Sequence, residues 1–303
     1  GKPQIALAWF RRCRRIAAAH PSQEARRTDS YALTSLGRLA SQEADRKSGP
    51  AQRRTYQKAR RLLDTSRTLK QQLGETRSLA IVDVDIAELE LRHGDRARQV
   101  EAIGLLKEAI ALYGQQYPQS ARDTYWTLGR AYEQIGEPEQ ALVAYEAALH
   151  RSSADPAVQG AIQHDIAQLH RVSEQYDEAK AAFCADIAVR GAAAVRSHHG
   201  LGLLETELAE KNGDPDGYAR ARAAYRTALT LIDPDVEPGS FAEVLSDLAT
   251  LDWYVDDLDA AAHGSAVPSN SLPAPGCRTP DGRGCWCSSA GFSWHSVPSH
   301  TIR

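Results

Sequence analysis

The sequence predicts an all-α fold, an antiparallel helix-pair solenoid, from three observations. An alanine recurs seven times at intervals of 53, 43, 39, 38, 42 and 40 residues. At six of these positions a large apolar or aromatic residue follows four residues later, and a small residue usually follows three residues after that. A period near 40 residues is typical of a repeat array. The alanines are Ala6, Ala59, Ala102, Ala141, Ala179, Ala221 and Ala261.

A second motif precedes each alanine from the second on, and it consists of an apolar residue followed at once by Gly or Ala. Residues spaced three and four apart share one helix face. Each unit is therefore predicted to be a helix A with the apolar–small pair, a turn, and a helix B with the alanine and the large residue. The pairs are Leu36-Gly37, Ile86-Ala87, Leu128-Gly129, Ile166-Ala167, Leu201-Gly202 and Leu248-Ala249.

The first element, with Ala6, Phe10 and Cys13, is a helix B without its helix A. The sequence contains no methionine. Both facts suggest a fragment that begins within a repeat. We expect about six units over residues 1–262, the first of them truncated, and neither end has the polar cap that such arrays usually carry. Self-association through these uncapped ends is therefore expected as an effect of truncation.

Positive charge is concentrated near the N terminus, where residues 1–70 contain 17 Lys/Arg and 5 Asp/Glu. This segment could contact nucleic acid or an acidic partner, or it could form a solvated face. We favour the solvated face and do not expect nucleic-acid binding, because no interleaved aromatic residues offer base stacking. The basic residues are Arg11, Arg12, Arg14, Arg15, Arg53, Arg54, Lys58, Arg60 and Arg61.

The clearest unit, residues 122–156, has turn signals at Gly136-Glu137-Pro138 between its helices and at residues 152–156 after them. Its motif residues are Tyr125, Leu128, Gly129, Tyr132, Ala141, Tyr145 and Ala148. In this pattern the unit resembles a tetratricopeptide repeat (TPR). The resemblance extends over residues 1–262, and the long units are similar to the roughly 40-residue repeats of regulatory proteins.

This resemblance implies a superhelix whose concave wall is lined by the A helices, with ligand contacts at exposed positions beside the packing pair. It implies a non-catalytic protein- or peptide-binding scaffold, the regulatory part of a larger cytoplasmic protein. The alternative is a ligand- or peptide-sensing arm of a transcriptional regulator or NTPase switch. The expected groove residues are Trp126, Arg130, Glu133, His164, Gln168, Arg171, Arg196 and His199.

Trp126 has two interpretations. Tyr125 already occupies the buried motif position, so Trp126 should face away from its own helix B. It could then anchor a ligand, since Trp beside Arg is typical of interfaces. It could instead pack against the neighbouring unit.

The last unit begins with Leu245, Leu248 and Ala249, and Ala261 falls where a helix B should start. The large residue due at position 265 is Ser265, and periodicity is lost over residues 263–303. Three interpretations are open: a disordered tail, an out-of-frame translation of a GC-rich gene, or a small metal site. We do not favour metal, because Cys285-Trp286-Cys287 lacks the usual zinc-ligand spacing.

The remaining motifs predict no catalytic residue, cofactor or metal. Gly200-Leu201-Gly202 lacks the strand and the third glycine of a nucleotide loop. No serine lies in a nucleophile-elbow context. Asp83-Val84-Asp85 lies in a predicted helix, where residues two apart diverge. No apolar run approaches the 18 or more residues that a membrane span needs.

Overall fold

The computed structural model describes the backbone of residues 2–20, 22–152 and 155–262 and, within these ranges, the side chains of residues 4–256. The described residues form twelve α-helices and one 3₁₀ turn, Gly191–Ala193. The helices are α1 (Lys2–Ala19), α2 (Gln23–Asp45), α3 (Gly49–Leu73), α4 (Thr76–His93), α5 (Arg96–Tyr113), α6 (Pro118–Ile135), α7 (Pro138–His150), α8 (Pro156–Val172), α9 (Tyr176–Arg190), α10 (Val195–Asn212), α11 (Pro215–Leu231) and α12 (Pro238–Ala262).

Local sequence sets the helix ends. Asp95 and Asp155 cap α5 and α8 by accepting hydrogen bonds from the backbone N–H groups of Arg98 and Val158. Pro begins α6, α7, α8 and α11, where its missing N–H costs nothing. Gly136 ends α6 in the left-handed region, with φ of 79°. The turn signals in the sequence therefore coincide with real helix boundaries.

The predicted all-α solenoid of helix pairs is confirmed. Helix A and helix B of one unit, α2 with α3 through α10 with α11, pack together more extensively than any other helices. The motif alanine and the large residue of α3, α5, α7, α9 and α11 are at most 1% exposed. The pairs stack into a TPR-like superhelix.

Gly129 shows why a small residue is needed in helix A. A Cβ placed on Gly129 would collide with the ring of Tyr145 on α7. Without that Cβ, the two helices approach closely and Tyr145 is completely buried. The small residue of A and the large residue of B are therefore one packing device.

Consecutive A helices contact one another directly, in the pairs α2–α4, α4–α6, α8–α10 and α10–α12, and more extensively than consecutive B helices do. A curved stack brings its elements closest on the inner side of the curve. The A helices therefore line the concave wall.

The prediction that Ala261 begins a helix B is wrong. α12 is a single helix from Pro238 to Ala262, so Ala261 lies in its last turn. The other units with this spacing contain a turn, such as Gly136-Glu137-Pro138, or Ser173-Glu174-Gln175 with Glu174 at φ of 58°. The stretch from Ala249 to Ala261 contains neither Gly nor Pro to stop the helix.

Among the residues whose structure is described, no helix is both long and apolar enough to cross a membrane. The predictions about residues 263–303 lie outside the described residues.

Candidate functional site

Trp126 joins two units on the concave wall. Its indole is half-buried, and its Nε1–H donates to Oδ2 of Asp165 on α8 at 2.7 Å. Of the two interpretations, the hydrogen bond to α8 favours packing against the next unit. The indole N–H is already used and is not free for a ligand.

This contact recurs along the wall. Asp85 on α4 accepts from Nε–H of Arg38 on α2 at 2.8 Å. Asp247 on α12 accepts from Nε2 of His199 on α10 at 2.7 Å. Each aspartate lies two residues before the small residue of its helix A. We call these three contacts the aspartate clasps: Arg38–Asp85, Trp126–Asp165 and His199–Asp247.

The sequence contains a signal for the clasps that the repeat motif alone does not reveal. The A helices that accept carry Asp85-Ile86-Ala87, Asp165-Ile166-Ala167 and Asp247-Leu248-Ala249. The A helices that donate carry Ser35-Leu36-Gly37, Thr127-Leu128-Gly129 and Gly200-Leu201-Gly202. The two types alternate, so the structural module contains two units rather than one.

Burial raises the pKa of the carboxylates in two of the clasps, Asp85 and Asp165. Desolvation raises the pKa of Asp85 to about 6, although the hydrogen bond from Arg38 works against this shift. Desolvation likewise raises the pKa of Asp165, opposed by the Trp126 hydrogen bond and by the charges of Arg196 and Arg130. Asp85 and Asp165 thus depend on their donors to stay ionised.

A cleft of about 290 Å³ opens between α8, α10 and α12. Four of the eight expected groove residues line it: His164, Gln168, Arg196 and His199. Sequence reasoning missed its other walls, because they depend on how α12 and the α11–α12 loop lie against α10. These additional lining residues are Val195, Leu203, Ile232, Ser240, Glu243 and Val244.

His164 differs from expectation because it is only 3% exposed rather than presented on the surface. Its ring packs on Phe183 with centroids 5.6 Å apart, and its Nδ1 lies 3.0 Å from Oγ of Ser197. Ser197 donates its one hydroxyl hydrogen to Asp186 at 2.5 Å. Nδ1–H of His164 must therefore donate to Ser197.

This network fixes the chemistry of His164. Desolvation, followed by the charge of Arg196, lowers the pKa of His164 to about 4. The ring is neutral at pH 7 with its hydrogen on Nδ1, so Nε2 is a hydrogen-bond acceptor. No described residue donates to Nε2. A ligand N–H or O–H in the cleft could use it.

The Ser197, His164 and Asp186 cluster is not a hydrolytic triad. A nucleophilic serine gives its proton to histidine, whereas Ser197 gives its proton to Asp186 and is completely buried. Arg190 forms an ion pair with Asp186 on the other side. The arrangement holds His164 in place and does not activate Ser197.

The other expected groove residues lie outside the cleft. Glu133 accepts a hydrogen bond from the hydroxyl of Tyr145, and desolvation raises the pKa of Glu133. Arg171 bonds Gln168 at 3.0 Å and pairs with Glu207 on α10. Arg130 is exposed. Of the expected cations, Arg130 and Arg196 are therefore the two accessible to a ligand.

Within the described ranges, no three His, Cys, Asp or Glu side chains are grouped as a metal site would require. Asp83 and Asp85 point to different helices, since Asp83 pairs with Arg67 on α3 at 2.5 Å and Asp85 with Arg38 on α2. Among the N-terminal basic residues, Arg60 forms ion pairs with Glu90 and Glu101, so its charge stabilises the contact between helices.

No family model matches the chain, and no curated protein matches it. Among solved structures, aspartyl phosphate phosphatase F from Bacillus subtilis aligns with a TM-score of 0.53 at 13% identity, covering 84% of this chain and 75% of that one. This similarity supports the helical-repeat fold and, at such low identity, only the fold.

Two further structures align at lower scores. The nearly identical TPR-like repeats of a kinesin light chain-like protein from Podosopora anserina give 0.49 at 19% identity, covering 63% of this chain and 95% of that one. MamA protein gives 0.47 at 16% identity, covering 69% of this chain and 93% of that one.

Proposed function

We propose that this chain is a non-catalytic scaffold that binds a protein or peptide through the concave wall, as the regulatory part of a larger cytoplasmic protein. The observation that carries the proposal is the cleft between α8, α10 and α12, which gathers four expected groove residues from two A helices and adds walls from a third. Helical-repeat folds typically bind other proteins along such a wall.

The cleft favours one kind of peptide. Val195 and Leu203 offer an apolar surface, and Nε2 of His164 offers an acceptor beside it. Arg196 is exposed at the rim and can bind a carboxylate. A peptide in which an apolar side chain is followed by an acidic residue, and in which a backbone N–H faces His164, would match all three features of the cleft.

The test is selection of a displayed random peptide library on the 303-residue chain, followed by anisotropy titration of synthetic copies of the selected peptides. Selected peptides should pair an apolar residue with an acidic one. Arg196→Glu should weaken their binding at least tenfold, because it replaces attraction by repulsion and leaves the helices intact. Arg226→Glu, an exposed reversal on α11, is the matched control and should change affinity less than twofold.

Two outcomes would contradict the proposal. One is that selection yields no sequence that binds in solution, and the other is that Arg196→Glu and Arg226→Glu weaken binding equally. The second result would indicate a general charge effect and would remove the cleft as the site.

A further inference from the structure

The cleft between α8, α10 and α12 has opposite charges on two of its walls. The Arg196 guanidinium on α10 and the Glu243 carboxylate on α12 both line it, and both residues are exposed. Among the described side chains neither of them has an ion-pair partner, whereas His199, which lines the same cleft, is held by Asp247 at 2.7 Å. Arg196 and Glu243 are therefore the cation and the anion that the cleft leaves accessible to a ligand.

The two charges occupy equivalent positions in consecutive A helices. Arg196 lies six residues before Gly202, and Glu243 lies six residues before Ala249. α10 and α12 contact each other directly, and the axes of packed helices lie about 8–10 Å apart. Equivalent positions of two such helices are separated by roughly this distance, so the positive and the negative group flank the cleft at the same level.

Apolar and polar groups deeper in the cleft complete a site for a short chain segment. Val195 and Leu203 are half-buried and supply apolar surface. His164 is almost completely buried, and its Nε2 receives no hydrogen bond from residues 4–256. A buried acceptor without a partner is costly unless water or a ligand supplies the hydrogen. The cleft thus offers apolar contact and one hydrogen-bond acceptor below a rim of two opposite charges.

An extended peptide segment matches this arrangement. Successive side chains of an extended chain point to opposite sides, and each residue advances the chain by about 3.3 Å. The central side chain of three can therefore enter the cleft while the two flanking side chains reach the rim, about 7 Å apart. That separation is close to the distance between two packed helices, so one flanking residue can reach Arg196 and the other Glu243.

We propose that Glu243 is a specificity-determining residue of the cleft and that the ligand carries both charges, as a basic, an apolar and an acidic residue in succession. The apolar side chain contacts Val195 and Leu203, the acidic one pairs with Arg196, and the basic one pairs with Glu243. The opposite charges of the two walls then fix the direction in which the segment crosses from one A helix to the next. This inference rests on the proposed function and adds to it the basic residue and the direction.

The test uses two displayed peptide libraries that differ only in a fixed core within random flanking residues. One core is lysine, leucine, glutamate, and the other is glutamate, leucine, lysine. Selection of their mixture on the 303-residue chain should enrich the lysine-first core about fivefold or more over the other. Arg196→Glu/Glu243→Arg exchanges the charges of the two walls and leaves the net charge unchanged, so it should reverse the preference.

Anisotropy titration of a selected lysine-first peptide isolates the contribution of Glu243. Glu243→Arg should weaken its binding about fivefold or more, because attraction becomes repulsion. Glu210→Arg makes the same change of charge at an exposed position in the last turn of α10, and this matched control should change affinity less than about twofold. Circular dichroism should show unchanged helicity, since all the substituted positions are exposed.

Equal enrichment of the two cores by the unmodified chain would overturn the inference, as would equal weakening by Glu243→Arg and Glu210→Arg. Either result, obtained with peptides that still lose affinity in Arg196→Glu, would leave the proposed function intact. Failure of both libraries to yield a binding peptide would instead contradict the proposed function and this inference together.

Discussion

Two helical glycines of this protein have opposite tasks. Gly129 is buried where a Cβ would strike the ring of Tyr145, whereas Gly104 lies in the middle of α5 with open space where its Cβ would project. Glycine at position 129 enables packing, and glycine at position 104 only weakens a helix.

We therefore expect Gly129→Ala to lower the free energy of unfolding by about 1–3 kcal/mol, because the added methyl overpacks the A–B contact. Gly104→Ala is the matched control and should raise it by about 0.5–1 kcal/mol, because alanine favours the helix. Urea denaturation of the two variants measures both values. Changes of the same sign would contradict this account of Gly129.

His164 should make stability depend on pH. Its pKa is lowered from 6.5 to about 4 in the folded chain, so the folded state binds this proton less readily than the unfolded chain. The stabilising contribution is complete above pH 6.5 and is lost as pH falls towards 4. The full loss is on the order of 3 kcal/mol, and near-complete burial leaves little solvent screening.

We expect His164→Gln to lose less stability than the unmodified chain between pH 6.5 and 4 in urea denaturation. Asp85 acts in the opposite direction: its pKa is raised to about 6, so its contribution is present below about pH 4 and is lost as pH rises through 6. Asp85 is present in both chains, so the difference between the pH profiles of His164→Gln and the unmodified chain reports the contribution of His164 alone. The exposed His150→Gln is the control, and equal pH profiles for all three chains would refute the prediction.

At the scale of elements, the aspartate clasps couple neighbouring A helices. The Trp126–Asp165 clasp lies beside the junction of α7 with α8, which is the least extensive packing between consecutive helices. A hydrogen bond at a thin junction contributes more to the connection between its neighbours than one inside a well-packed pair.

Trp126→Phe should destabilise the chain by about 1–3 kcal/mol, because it keeps only a smaller aromatic ring and leaves the Asp165 carboxylate without the indole N–H that donates to it. Adding Asp165→Leu should recover part of this loss, because the unpaired carboxylate is then gone. Tyr125→Phe removes a neighbouring hydroxyl without orphaning a described partner and should stay within about 0.5 kcal/mol. Urea denaturation of the unmodified chain, Trp126→Phe, Asp165→Leu and the double variant gives the cycle, and additive effects would exclude coupling.

For the whole molecule, the sequence was most informative where packing is local and repeated. Ala141, Tyr145 and Gly129 follow from helix periodicity alone, and the structure confirms their shared packing. Ligand positions were harder to predict, because exposure depends on neighbouring units. His164 and Trp126 occupy equivalent places in their helices, yet one is buried under α10 and the other is bound to α8.

The helix boundaries at the end of the array could not be predicted from the local sequence pattern either. Leu248-Ala249 and Ala261 keep the spacing of a unit, but spacing does not create a turn, and α12 continues through it. The clasps could not be predicted from the local pattern because a donor and its aspartate are 39 to 48 residues apart. Their pairing becomes visible only when consecutive A helices are aligned side by side.

Because donating and accepting A helices alternate, such an array can keep its clasps only if its units are added or removed in pairs. Deleting one unit would place two donors or two acceptors side by side, leaving an aspartate such as Asp165 facing no partner. Deleting or duplicating two adjacent units would preserve the alternation and leave every remaining aspartate beside a donating helix. Growth or shortening by recombination should therefore proceed in steps of about 80 residues, although the visible repeat measures half that length.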